Sequence, residues 1–177
     1  GWSDEGIKST PKMAALIADA LTVKPPARSM GLESHGRCLI YIDGGSGGST
    51  ADAAFALAAK LQGNLGVTVL INNPSDTLMA QIAPASVTIG TIRSASGHFT
   101  NFKIVIDQFA EALPHGRDSL VFGGRSDGVE TSCDILIDLS GGTPLFTGWE
   151  KRDGYFRVAA DDSAAVAAME ARVISMI

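Results

Sequence analysis

The most constraining stretch of this chain runs from Cys38 to Ile71. Cys38-Leu39-Ile40-Tyr41-Ile42 is an unbroken apolar run of β type. A strand with one wet face alternates polar and apolar residues, so an unbroken run predicts a strand covered on both faces. Glycines follow at once, in Gly44-Gly45-Ser46-Gly47-Gly48. Residues Ser49 to Leu61 are Ala-rich and helical in pattern, with Ser49 or Thr50 as the N-cap. Alanines, Phe55 and Leu57 wrap that helix nearly all round, so it too is expected to be well covered. Gly63 to Gly66 turns the chain, and Val67-Thr68-Val69-Leu70-Ile71 forms a second strand that Asn72-Asn73-Pro74 closes. Strand, helix and strand make one β-α-β unit with parallel strands and a right-handed crossover.

Composition narrows the function classes. A chain of 177 residues suits one domain with a sizeable core, and 45% apolar with 19% charged residues marks a globular protein. The net charge of −5, with no run of Lys/Arg longer than two, leaves no electrostatic footprint for nucleic acid or anionic lipid. No apolar run approaches the roughly 18 residues of a membrane span. Cys38 and Cys133 each stand at the start of an apolar run, the pattern of buried, reduced thiols in a cytoplasmic protein; a disulfide between neighbouring strands is the alternative. Two cysteines this far apart form no zinc or cluster motif.

The remaining elements follow from pattern. Thr10-Pro11 starts a helix whose apolar face is Met13, Leu16, Ile17 and Leu21, and Lys24-Pro25-Pro26 ends it. Ser86 to Ser94 and Phe99 to Asp107 form an antiparallel hairpin turning through Ser94-Ala95-Ser96-Gly97-His98, and Leu120-Val121-Phe122 is a short third strand. Residues of about 86–124 are thus an antiparallel β excursion, followed by a polar loop from Arg125 to Ser132. Cys133 to Leu139 is again a buried-type strand, ending in Ser140-Gly141-Gly142-Thr143-Pro144. Tyr155 to Val158 is one more short strand, and Asp161 to Ile177 the last helix, with Val166, Met169 and Val173 on one side. The expected class is α/β: a single domain over 1–177, with an N-terminal helix and linker (1–37), a core (38–144) and a C-terminal strand and helix (145–177). The chain lacks an initiator Met and stops inside an amphipathic pattern, as a piece of a longer protein would.

The glycine turn is the first place to look for chemistry. A dinucleotide turn needs a tight bend, close backbone approach to the pyrophosphate, and amides at a helix N-terminus. Gly45-Ser46-Gly47 supplies the first two features of G-x-G-x-x-G; Thr50 occupies the third glycine position. The second strand ends in Asn72, where a binder places the carboxylate that holds the ribose, and no Arg stands there for a 2′-phosphate. The amides of Gly47, Gly48 and Ser49 still suit a small anion. The candidate anion or nucleotide site is therefore Gly45, Gly47, Gly48, Ser49, Thr50, Gly141 and Gly142. Asp138, beside the second glycine turn, is expected to brace that turn rather than act as a base. His35, His98 and His115 are turn histidines without ligand-spaced Cys, Asp or Glu. Ser94-Ala95-Ser96-Gly97 lacks the G-x-S-x-G elbow of a nucleophile. Arg93, Arg125, Lys151 and Arg152 are ordinary solvated charges or a docking surface, and Trp149 an interface anchor or a lid on the core.

Two resemblances go further. The order of elements over about 38–144, a β-α-β unit, an antiparallel excursion and a returning strand ending in glycines, is similar to the nucleotide domains of two-dinucleotide-binding flavoproteins. It implies a Rossmann-like core and no particular function. Separately, three stretches resemble an internal region of large bacterial ferredoxin-type proteins that bind 4Fe-4S clusters. They are Gly1-Trp2-Ser3 through Leu16, Gly90 to Gly97, and Cys133 to Phe146 with Arg152-Asp153-Gly154-Tyr155. That resemblance implies a non-catalytic accessory or docking domain of a multidomain 4Fe-4S electron-transfer protein. Its partners would be the cluster-bearing domains of the same polypeptide or a redox partner. A 4Fe-4S cluster needs four Cys ligands, and C-x-x-C-x-x-C is absent, so the ligands are expected outside this chain, with no cofactor, metal or catalytic residue inside it. The alternative is an NAD(P)- or FAD-binding oxidoreductase domain with a degenerate glycine motif.

Overall fold

The computed structural model describes residues 10–21, 34–46, 48–74, 86–113, 121–147 and 152–177. The chain divides into two compact units, 1–31 and 32–177. The first contains the helix α1, Thr10–Leu21. The second contains the helices α2 (Gly48–Leu61) and α3 (Ser163–Ile174) and eight strands among the described residues. The strands are β1 (Arg37–Asp43), β2 (Gly66–Asn72), β3 (Ser86–His98), β4 (Asn101–Leu113), β5 (Val121–Phe122), β6 (Val129–Cys133), β7 (Ile135–Asp138) and β8 (Tyr155–Arg157). Their order is β5-β4-β3-β2-β1-β7-β8, with β6 also paired to β4. The fold is α/β with a Rossmann-like core: β8, β7, β1, β2 and the start of β3 are mutually parallel.

The unbroken apolar run of β1 is buried on both faces. Cys38, Ile40 and Ile42 join Val69, Ile71 and Ile137 against Leu57 and Leu61 of α2 and Met169 and Val173 of α3. Leu39 and Tyr41 point the other way, with Leu70 and Leu136, onto Phe102, Ile104, Ile106 and Phe146. The helices thus cover one face and the antiparallel strands the other. α2 begins at Gly48, so Ser49 and Thr50 lie in its first turn rather than capping it. The N-cap of α3 is Asp162, whose carboxylate accepts from Ala165 N at 2.9 Å.

The excursion differs from its sequence pattern in three respects. First, β3 is one long strand of 13 residues. Its opening residues Ser86–Ile89 pair in parallel with Thr68–Ile71, so they belong to the main sheet, and from Thr88 onward the strand pairs with β4 on its other side. The pairing with β4 shifts register at Gly90, which has φ +154°. A Cβ there would lie 2.5 Å from Ile106 Cγ2, so only glycine lets the two strands close at that point. Second, Ser94 to His98 are strand, and the reversal falls on Phe99-Thr100. Their small polar composition reflects exposure on the outer part of β3, whereas Thr100 turns the chain at φ 72° without being a glycine. Third, the polar segment at 129–133 is a strand, pairing Val129–Cys133 with Ile106–Phe102 of β4. An edge strand has one wet side and can carry Glu130 and Ser132 without losing its ladder.

The end of β6 is tied back to the start of β1. Asp134 N donates to Arg37 O at 2.9 Å. Its carboxylate Oδ2 accepts from Arg37 N at 2.8 Å, His35 N at 2.9 Å and Ser34 Oγ at 3.3 Å. Strands β1, β2, β3, β4 and β6 therefore curl into a partial barrel around the second core. Phe102, fully buried there, packs 5.7 Å from the Phe146 ring, which meets Tyr155 edge-on at 4.9 Å. Asp134 is only 1% exposed. Replacing it with Ala strands two amide donors, and Asp134→Ala is expected to cost about 2 kcal/mol, read from the midpoint of urea unfolding. An unchanged midpoint would mean that water satisfies those amides and that the tie contributes nothing.

Candidate functional site

In the parallel part of the sheet the order β3-β2-β1-β7-β8 changes direction between β1 and β7. The chain leaves β1 toward β2 on one side and reaches β7 on the other, so a crevice opens outside the carboxyl ends of these two strands. Tyr41 is the register partner of Asp138, which brings the loop after Asp43 and the loop after Asp138 to the same edge. Of the candidate residues, Gly45, Gly48, Ser49 and Thr50 lie on the first loop and the helix start, and Gly141 and Gly142 on the second. Gly47 lies outside the described residues.

The glycines of the first loop have different reasons. A Cβ on Gly44 would come within 2.8 Å of Asn73 O and 3.0 Å of Ile71 Cγ2, so the end of β2 dictates that glycine. A Cβ on Gly48 would meet nothing, and one on Gly45 would meet only the Asp43 carboxylate, at 3.5 Å. That carboxylate accepts a hydrogen bond from Gly45 N at 3.2 Å. The turn thus has an anion of its own, which repels a second one placed beside it. Thr50 is turned inward and buried with Ala51 and Ala54. Asn72 is engaged as well: its side-chain oxygen accepts from Thr91 Oγ1 at 2.7 Å.

The second loop is built on Asp138, which is 0% exposed. Its Oδ1 accepts from Ser140 N at 3.0 Å and Ser140 Oγ at 2.6 Å, and its Oδ2 accepts from Tyr155 Oη at 3.0 Å. Ser140 Oγ in turn accepts from Gly142 N at 3.3 Å. Arg157 approaches Asp138 Oδ2 at 3.9 Å and donates to Gly142 O. Asp138 therefore braces the glycine turn. Asp43, Tyr155 and Arg157 carry the geometry of this edge without any motif to mark them. The available signal is the alternation Tyr155, Arg157 on a strand whose register sets Arg157 opposite Asp138.

The other candidates are dispersed. Arg93 is paired with Asp107 at 2.6 Å, and Arg152 donates to Gly97 O while lying 4.6 Å over the Phe146 ring, so neither forms an open basic surface. Arg125 lines a small polar cleft with Asn72, Asn73 and Gln108. His35 and His98 are exposed, and His98 Nδ1 lies 2.8 Å from Phe99 O. Ser94 and Ser96 stand on β3 with no histidine as a hydrogen-bond partner among the described residues. His115, Trp149 and Lys151 lie outside the described residues. Cys38 and Cys133 are free and buried. Burial pushes both thiols up, Cys133 to about 12, which keeps them protonated and weakly nucleophilic near neutral pH. Among the described residues no group of three or more His, Cys, Asp or Glu is arranged to hold a metal ion. No described helix is long and apolar enough to cross a membrane.

Fold and site together define a Rossmann-like α/β domain whose switch-point crevice is lined by two braced glycine turns. Comparison with protein-family models, with curated proteins and with solved structures finds no match.

The Asp138 network has a titration signature. Burial pushes the Tyr155 phenol up to about 12; the bond from Leu145 N opposes this, and the Asp138 charge adds to it. A phenol whose folded value lies above its unfolded one contributes stability that is complete below the unfolded value of about 10, and loses it as pH rises toward the folded value. In a Tyr41→Phe background, tyrosinate absorbance should therefore appear near pH 12 for Tyr155, and stability should decline between about 10 and that value. Titration of Tyr155 near 10 in the folded protein would show that the network is open to water.

Proposed function

We propose that this chain is a non-catalytic accessory domain of a multidomain 4Fe-4S electron-transfer protein of the cytoplasm. It docks against cluster-bearing domains of the same polypeptide or against a redox partner, and the cluster ligands lie outside it. The observation that carries the non-catalytic part is the Asp43 carboxylate on the Gly45 amide, where a dinucleotide would set its pyrophosphate. The electron-transfer part is supported by the resemblance of the three stretches named above, which span both the glycine-bearing strand β3 and the Asp138 loop.

The second reading, an NAD(P)- or FAD-binding oxidoreductase domain, is favoured by the strand order, which places the crevice where such cofactors bind. The two readings separate in one measurement. A ligand at 100 times its dissociation constant stabilises the folded state by about 2.7 kcal/mol. That corresponds to a rise in melting temperature of several degrees, at roughly 2–4 °C per kcal/mol for a domain of this size. Millimolar NADH, NADPH and FAD are expected to leave the melting temperature of this domain unchanged. A rise with any of them, abolished by Gly48→Val, would make the oxidoreductase reading the correct one. For the electron-transfer assignment the decisive measurement is EPR of the reduced full-length protein, and absence of an iron-sulfur signal would overturn it.

A further inference from the structure

We draw no further inference here: the strongest candidate, the cleft of about 370 Å³ at the amino-terminal mouth of the partial barrel, has no buried polar atom left without a partner among the described residues, and the exposed charges of Arg37, Glu111 and Glu130 on its rim name no ligand.

Discussion

The tie between Asp134 and the start of β1 is the constraint on which the rest of the architecture depends. One buried carboxylate oxygen accepts from Arg37 N, His35 N and Ser34 Oγ, and the amide of the same residue donates to Arg37 O. Without that stitch the antiparallel strands would be a flap beside the sheet. With it they fold back across the face that α2 and α3 leave bare, and β1 obtains its second covered side. Tyr155 and Arg157 reach Asp138 because β8 lies along β7, held by Leu136 N donating to Gly154 O at 2.9 Å. Gly154, at φ +82°, leaves room for Phe99 and Phe102, whose carbons a Cβ would approach to 2.7 and 3.1 Å.

The two ends of the parallel sheet contrast in how their polar groups are met. At the carboxyl ends, Asp43 caps its own turn, Asn72 is engaged by Thr91, and Asp138 is shared among Ser140, Tyr155 and Arg157. Almost every group that could greet a ligand already has an intramolecular partner. At the amino-terminal ends Arg37, Glu111 and Glu130 are exposed and have no ion-pair partner among the described residues. A Rossmann-like order directs attention to the first end, where the polar groups are bound within the chain; at the second they face solvent.

Much of this was legible from the sequence where periodicity is strong. The β1-α2-β2 unit follows from an unbroken apolar run, glycines and an Ala-rich segment, because each signal is local. The excursion was less legible for physical reasons. Ser94 to His98 have the composition of a turn but the exposure of an outer strand; Thr100 bends the chain where glycine would normally be sought; and β6 is polar because half of it faces water. Of the crevice, the glycines were visible and their tenants were not. Tyr155 lies 17 residues from the carboxylate it donates to, and no local pattern encodes a bond across that separation.

The stitch at Asp134 also sets an order of events. It joins the Asp134 carboxylate to amides 97 and 99 residues earlier, so this tie forms only after most of the chain is present, whereas the pairing of Arg37 with Gly66 is available sooner. Contacts this distant are slow to form, because the chain must first lose the entropy of a long loop. The β1-α2-β2 unit can assemble early from neighbouring segments, but while it waits it leaves Leu39, Tyr41 and Leu70 bare on one side. An early β1-α2-β2 unit would therefore have its helix-covered face finished while Leu39, Tyr41 and Leu70 still face solvent.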